Sequence, residues 1–444
     1  MLIGLFFFVI LFFYFYRYIK KDLNKFVYLF LISFFFFRFV FYKYAIEVAP
    51  YFGSFLNVIL IILLWNILQN KPDEKFYKIF YTYLSIVLLT FFYIGVLLLL
   101  RENSKIESLY FIRNYFFNIV LFLLFITNDK IVSNKRNYFL KFLSILLLTQ
   151  IILGVSQYYF AQVANYFKID DYLWKGDIIN TLGVNAKEQN VVIGTLERMG
   201  ILGNTIAVMI TFLSGYYLAT KKINFNILFL IILSLILVGL TSIRTSFFTI
   251  ILGLLLNLWF YKKKYFIAFF SISIIILVTY FTQIQYLGVI GIENSSNFEN
   301  PIYRLFGIFY LLSDPTNITL GTITVARSLQ LLPAFFDNPL FGVGLYFSKG
   351  YIGIDSISDA FLLFHIVEYG LIGFIILLLP YFYTLFLIKK KSIEAFKIMF
   401  SVFIVLVFQT ITDNGIFMPL TNGLFFIFGG FVISIFSSKK DCLL

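Results

Sequence analysis

The run from Phe361 to Ile388, FLLFHIVEYGLIGFIILLLPYFYTLFLI, decides the fold class. An α-helix of about 20 apolar residues crosses the roughly 30 Å hydrocarbon core of a bilayer, and a helix can do so because its backbone polar groups are satisfied within the segment. This run is long enough to span with tilt. It holds one acid, Glu368, and the single histidine of the chain, His365. Upstream, Asn338-Pro339-Leu340-Phe341-Gly342-Val343-Gly344-Leu345 reads as a tight turn in which Gly342 and Gly344 supply backbone room or positive φ. A polar segment, 349–358, then leads to Asp359 at the head of the apolar run. Turn, polar segment and apolar helix together describe a reaction site on the rim of a membrane.

Comparable apolar runs recur from end to end. Thirteen are read as spans: about 2–16, 26–42, 51–69, 79–100, 110–127, 139–158, 201–220, 225–242, 245–261, 265–284, 361–388, 398–412 and 419–437. With 61% hydrophobic and 13% charged residues and a mean hydropathy of +0.93, the chain lies far from soluble domains. The expectation is an all-α polytopic membrane protein with about 12–13 transmembrane helices. Leu2 to Tyr16 has no basic residue before it and no small-residue cleavage site after it, so it reads as an N-out anchor rather than a removed signal peptide.

Orientation follows from the cations. With the N-terminus outside, the cytoplasmic connections hold Arg17 to Lys25, Lys71 to Lys78, Lys130 to Lys141, Lys221-Lys222, Lys262 to Lys264, Lys389 to Lys397 and Lys439-Lys440, which is 22 of the 35 Lys and Arg. The acids among or beside them are Asp22, Asp73, Glu74, Asp129, Glu394 and Asp441. The inside therefore carries +16 and all other positions −3, which sum to the formal +13. The basic balance reports topology and attraction to anionic lipid, and gives no ground for nucleic-acid binding. Cys442, the single cysteine, excludes an intrachain disulfide, and its place near the end is not that of a prenylation box.

Two connections, 159–200 and 285–360, are much longer than the rest, and the orientation places both outside. Helix packing is satisfied by short links, so long loops with aromatic and aliphatic content point to function. Arg304 to Leu312 and Val325 to Phe336 read as short interfacial helices parted by Asp314-Pro315-Thr316-Asn317. No internal repeat is visible, which counts modestly against transporter folds built from inverted halves.

Four outer arginines stand out where positive charge is scarce: Arg198 at the mouth of the seventh span, Arg244 between two spans, and Arg304 and Arg327 in the large loop. A guanidinium fork holds phosphate oxygens bidentately, so they are candidates for binding a diphosphate. The plainer alternative is snorkelling, or pairing with Glu197, Glu299 or Asp337. His365 is a candidate base near neutral pH, although a lone histidine on an apolar helix is more often a packed residue. Asp359 stands at the water boundary, where it can accept a proton and also cap the helix. Glu368 is costly to bury unpaired, which calls for a loop arginine or His365 as partner. Arg38 and Arg113 lie near enough to outer span ends to snorkel. A Walker loop and a dinucleotide fingerprint are absent, as is any metal-site spacing of His, Cys and carboxylates.

These residues resemble the O-antigen polymerase and O-antigen ligase superfamily of bacterial envelope glycosyltransferases. The resemblance covers roughly 139–388 and rests on Gln150 to Gln157 (QIILGVSQ), Arg198-Met199-Gly200-Ile201-Leu202-Gly203-Asn204, Thr241-Ser242-Ile243-Arg244-Thr245-Ser246, and Arg327 upstream of the NPLFGVG turn and the EYGLIG helix. With the spans read above, the chain divides into N-terminal transmembrane helices over 1–138, an O-antigen polymerase/ligase-like core over 139–388 with outer loops 159–200 and 285–360, and C-terminal transmembrane helices over 389–444. The resemblance implies action outside the bacterial inner membrane on undecaprenyl-diphosphate-linked oligosaccharides, with loop arginines on the diphosphate and no cofactor, nucleotide or metal. A flippase and a chain-length regulator would be partners, with membrane lipid around the chain. Ligases carry a His-Asn pair nine or ten residues before the glutamate, where this chain reads Ser358-Asp359-Ala360. His365 is too late to fill that place, and Asp359 occupies it. The departure favours a polymerase over a ligase that transfers glycan to lipid A core or protein. A lipid-linked oligosaccharide flippase is the alternative from another class.

Overall fold

The computed structural model describes residues 2–45, 47–70, 72–100, 116–127, 136–167, 192–196, 199–220, 225–241, 244–268, 270–271, 333, 335–344, 361–410 and 418–437. Among them there is no strand; the protein is an all-α polytopic membrane protein. The helices are α1 (Leu2–Lys21), α2 (Leu23–Ile32), α3 (Arg38–Tyr44), α4 (Phe52–Gln69), α5 (Glu74–Leu100), α6 (Ile119–Thr127), α7 (Arg136–Tyr159), α8 (Ala161–Phe167), α9 (Met199–Ala219), α10 (Phe225–Leu240), α11 (Arg244–Tyr261), α12 (Phe361–Lys391), α13 (Ile393–Gln409) and α14 (Pro419–Ser437).

Six described helices are individually long and apolar enough to cross a bilayer, namely α4, α5, α7, α9, α12 and α14. Leu23–Phe37, α10 and Thr245–Tyr261 are shorter apolar helices. The predicted spans 2–16 and 398–412 correspond to α1 and α13, while 110–127 and 265–284 fall partly outside the described residues. Between α2 and α3 the chain runs through a π-helical segment, Ser33–Phe37, before Arg38. Of the two interfacial helices expected in the large loop, only the end of the second is described, and Phe335 to Asp337 is helical.

The chain divides into two compact units, the first formed by Met1–Phe139, Arg327–Met399 and Thr410–Leu444. In it α1 packs on α2 and α4, α4 on α6, α6 on α14, α14 on α12 and α12 on α5. Its aromatic residues pack as a cluster, with Phe8 stacked on Phe41 at 4.5 Å and Phe15 edge-on to Phe26 at 5.7 Å. The spanning window of α14 is 94% buried and that of α5 only 28%, so α14 is enclosed by protein and most of α5 is not. Gly430 admits the ring of Phe125 against α14, and Asn118 donates to the Pro419 carbonyl at 3.0 Å where α14 begins. Tyr83 and Thr384 share a 2.6 Å hydrogen bond beside Pro380, whose ring interrupts the α12 ladder.

The second unit comprises Leu140–Ala326 and Phe400–Gln409. Helix α9 packs closely on α11, with α10 against both. Small residues allow the approach: Gly203 faces Ser246, Gly215 faces Asn257 and Gly253 faces Thr211. Polar side chains then hold the seam, since Asn257 donates to the Thr211 carbonyl at 2.8 Å and to Ser214 Oγ at 2.9 Å. Ser246 donates to Asn204 Oδ1 at 2.8 Å, and Gln409 to the Asn204 carbonyl at 3.1 Å.

Candidate functional site

The apolar run that looks like one continuous span is broken. Gly370 lies inside α12 with φ 67° and ψ 172°, so the helix stops at Tyr369 and restarts at Leu371. This corrects the expectation of an uninterrupted helix over 361–388. In an unbroken helix the carbonyls of Val367 and Glu368 would accept from the amides of Leu371 and Ile372. The turn 338–344 occupies the gap and supplies a full set of replacements. Val343 N–H donates to Val367 O at 2.9 Å and Gly344 N–H to Glu368 O at 3.3 Å. In return Leu371 N–H donates to Pro339 O at 2.9 Å and Ile372 N–H to Leu340 O at 3.1 Å.

Such a docking requires main chain to lie directly on main chain. Gly342 and Gly344 have φ of 73° and 104°, as the turn reading expected. A Cβ at Gly342 would strike the Glu368 carbonyl and the Gly370 amide, and one at Gly370 would strike Leu340 O and Gly342 N. Gly342 and Gly370 are therefore fixed by both conformation and space, and Gly344 by its conformation. The remaining carbonyl at the break, that of Tyr369, accepts from the hydroxyl of Tyr93 on α5. Irregular backbone at membrane depth survives only where it is satisfied within protein, and here turn and tyrosine provide that.

His365 and Glu368 stand on the short half-helix before the break. Their side chains are each 6% exposed, and His365 Nδ1 lies 3.9 Å from Glu368 Oε2, within ion-pair range but too far for a direct hydrogen bond. Of the two partners expected for Glu368, the histidine lies beside it, and the loop arginines lie outside the described residues. The imidazole is flanked by Phe364, edge-on at 5.6 Å, and by Tyr369 at 6.0 Å. It is a packed residue, buried with its acid.

The second unit holds another device that the sequence did not disclose. Residues 192–196 end the connection after α8 and are buried along α7. Gln157 accepts from the amides of Ile193 at 2.9 Å and Gly194 at 2.8 Å, and donates to the Gly194 carbonyl at 2.8 Å. Gln150, two turns earlier, accepts from Thr195 N–H at 3.0 Å and donates to Thr195 Oγ1 at 2.8 Å. Gly194 has φ 58°, and any Cβ there would strike Gln150 Oε1. The two glutamines of QIILGVSQ thus act as a template for the chain just before Arg198. The two polar residues seven apart in an apolar helix were the available signal, since a buried amide needs a partner.

Of the predicted site residues, Asp359, Arg198, Arg304 and Arg327 lie outside the described residues. Arg244 is the first residue of α11. Comparison with protein-family models and with curated proteins finds no match.

Proposed function

We propose that the protein is a membrane glycosyltransferase that polymerises undecaprenyl-diphosphate-linked oligosaccharide repeat units into O-antigen, capsule or exopolysaccharide, on the extracytoplasmic side of a bacterial inner membrane. The observation that carries the reading is the docking of the NPLFGVG turn into the break at Gly370. It fuses the two most specific sequence elements of the O-antigen polymerase and ligase resemblance into one structural joint. A joint of this kind is a rigid support of the sort on which a reaction centre is built.

In the proposed reaction an acceptor sugar hydroxyl attacks the anomeric carbon of the donor, the bond to the lipid diphosphate breaks, and the diphosphate leaves with the electron pair. Asp359 orients the hydroxyl and takes its proton. Arg198, Arg244, Arg304 and Arg327 neutralise the departing diphosphate, and this electrostatic contribution is the larger one. The flippase alternative is less favoured by the break itself. In transporters with discontinuous helices the half-helix ends face the solute, whereas at Gly370 they are taken up by the protein's own turn.

Deletion of the gene separates the enzyme readings. Loss of a polymerase leaves the final acceptor bearing one repeat unit. Bare acceptor with long chains accumulating on the lipid carrier would instead identify a ligase, and absence of any carrier-linked repeat outside the membrane would identify a flippase.

A further inference from the structure

The joint at Gly370 draws in a residue far away in sequence. Tyr93 is buried on α5, and its hydroxyl donates to the Tyr369 carbonyl while lying 3.2 Å from the Phe341 carbonyl. One group therefore touches both sides of the joint, the end of the first half-helix and the middle of the turn. The ring reaches this place because residue 373 is glycine: a Cβ there would strike Tyr93 Cε1. Gly373 belongs to the second half of α12, so the phenol contacts both half-helices and the turn.

The half-helix Phe361 to Tyr369 is connected to the rest of α12 through Gly370, a residue with wide backbone freedom. Its direction is therefore set by what is docked against it. That half-helix carries His365 and Glu368, and Asp359 stands at its head in sequence. We propose that Tyr93 is a positioning residue for glycosyl transfer: by latching turn 338–344 into the break, its hydroxyl fixes the direction of the half-helix that follows the proposed proton acceptor in sequence. This role rests on the glycosyltransferase reading. In this role Tyr93 acts through the joint rather than on the substrate, so its loss acts on turnover and spares donor binding. Misplacing a reacting group by a fraction of an ångström is costly in rate.

The test uses the full chain in lipid vesicles, with lipid-linked repeat units as substrate and hydrogen exchange as a second readout. Tyr93→Phe keeps the ring and removes the latch. It should lower kcat about tenfold or more with the donor KM unchanged. Exchange of the Val343, Gly344, Leu371 and Ile372 amides should quicken about fivefold, as expected for one lost hydrogen bond, with α14 unaffected. Gly373→Ala displaces the ring without touching the hydroxyl, should give the same pattern, and serves if Tyr93→Phe fails to accumulate. Wild-type kcat in the variants overturns the role, as does a kcat loss with unaltered exchange or with exchange raised throughout. A wild-type protein that forms no glycan from these substrates rejects the transferase reading instead, and the positioning role with it.

Discussion

The imidazole of His365 and the carboxyl of Glu368 sit together with side chains each 6% exposed. Burying a lone carboxylate or imidazolium is expensive, and each of the two groups lies within ion-pair range of the other. In the proposed reaction that burial disfavours His365 as the base, whereas Asp359 precedes the first residue of α12 in sequence and joins the polar segment. The sequence alone ranked these two groups by depth; the structure describes only the histidine, which is buried. A positioned base contributes typically 10²–10⁴-fold, so Asp359→Asn should lose about that much activity while retaining a cap, because asparagine caps a helix as well as aspartate. His365→Gln should keep a substantial fraction. Polymerisation by purified variants decides it: an active Asp359→Asn beside a folded but dead His365→Gln would move the base to the imidazole.

At the level of elements, hydrophobicity made the spans legible and concealed what happens inside them. Phe361 to Ile388 satisfies every criterion of one long helix, because a break costs nothing in hydropathy when its polar groups are matched by another segment. The turn was legible from Gly342 and Gly344. Its destination was not, since Leu371 and Ile372 pair with Pro339 and Leu340 across more than thirty residues. Gln150 and Gln157 were likewise visible as polar residues but not as a template, their partners lying 36 to 45 positions away. The joint gives up the helical bonds of the Val367, Glu368 and Tyr369 carbonyls for four main-chain bonds to the turn and one from Tyr93, so the broken and continuous forms of α12 are mutually exclusive pairings. Gly370→Ala tips the balance, because alanine strains at φ 67° and its Cβ meets Leu340 O. That variant should heal the helix and expel the turn. Its far-ultraviolet circular dichroism should stay near that of the wild type, Val343 and Gly344 should lose exchange protection, and chain growth should stop. Retained protection at those two amides would mean that the break is not held by the glycine.

For the whole molecule, the formal +13 is a statement about sidedness. Basic residues close several helices, as with Lys20 and Lys21 on α1 and Lys389 to Lys391 on α12, where Lys390 covers Phe386 at 4.3 Å and keeps its ammonium at the helix end. The excess of cations on alternate connections predicts that these ends are cytoplasmic and that 159–200 and 285–360 are outside. The proposed chemistry depends on this, because a polymerase of this kind acts where flipped lipid-linked units arrive. In a Cys442→Ser background, single cysteines at Asn180 and Asn317 should react with a membrane-impermeant maleimide in intact spheroplasts. A cysteine at Ser392, between α12 and α13, should react only after lysis. Ser392 lies within Lys389 to Lys397 and so tests the opposite face on the same charge argument. Labelling of position 392 in intact cells, with protection of 180 and 317 until lysis, would invert the chain and place the Gly370 joint away from any extracytoplasmic acceptor.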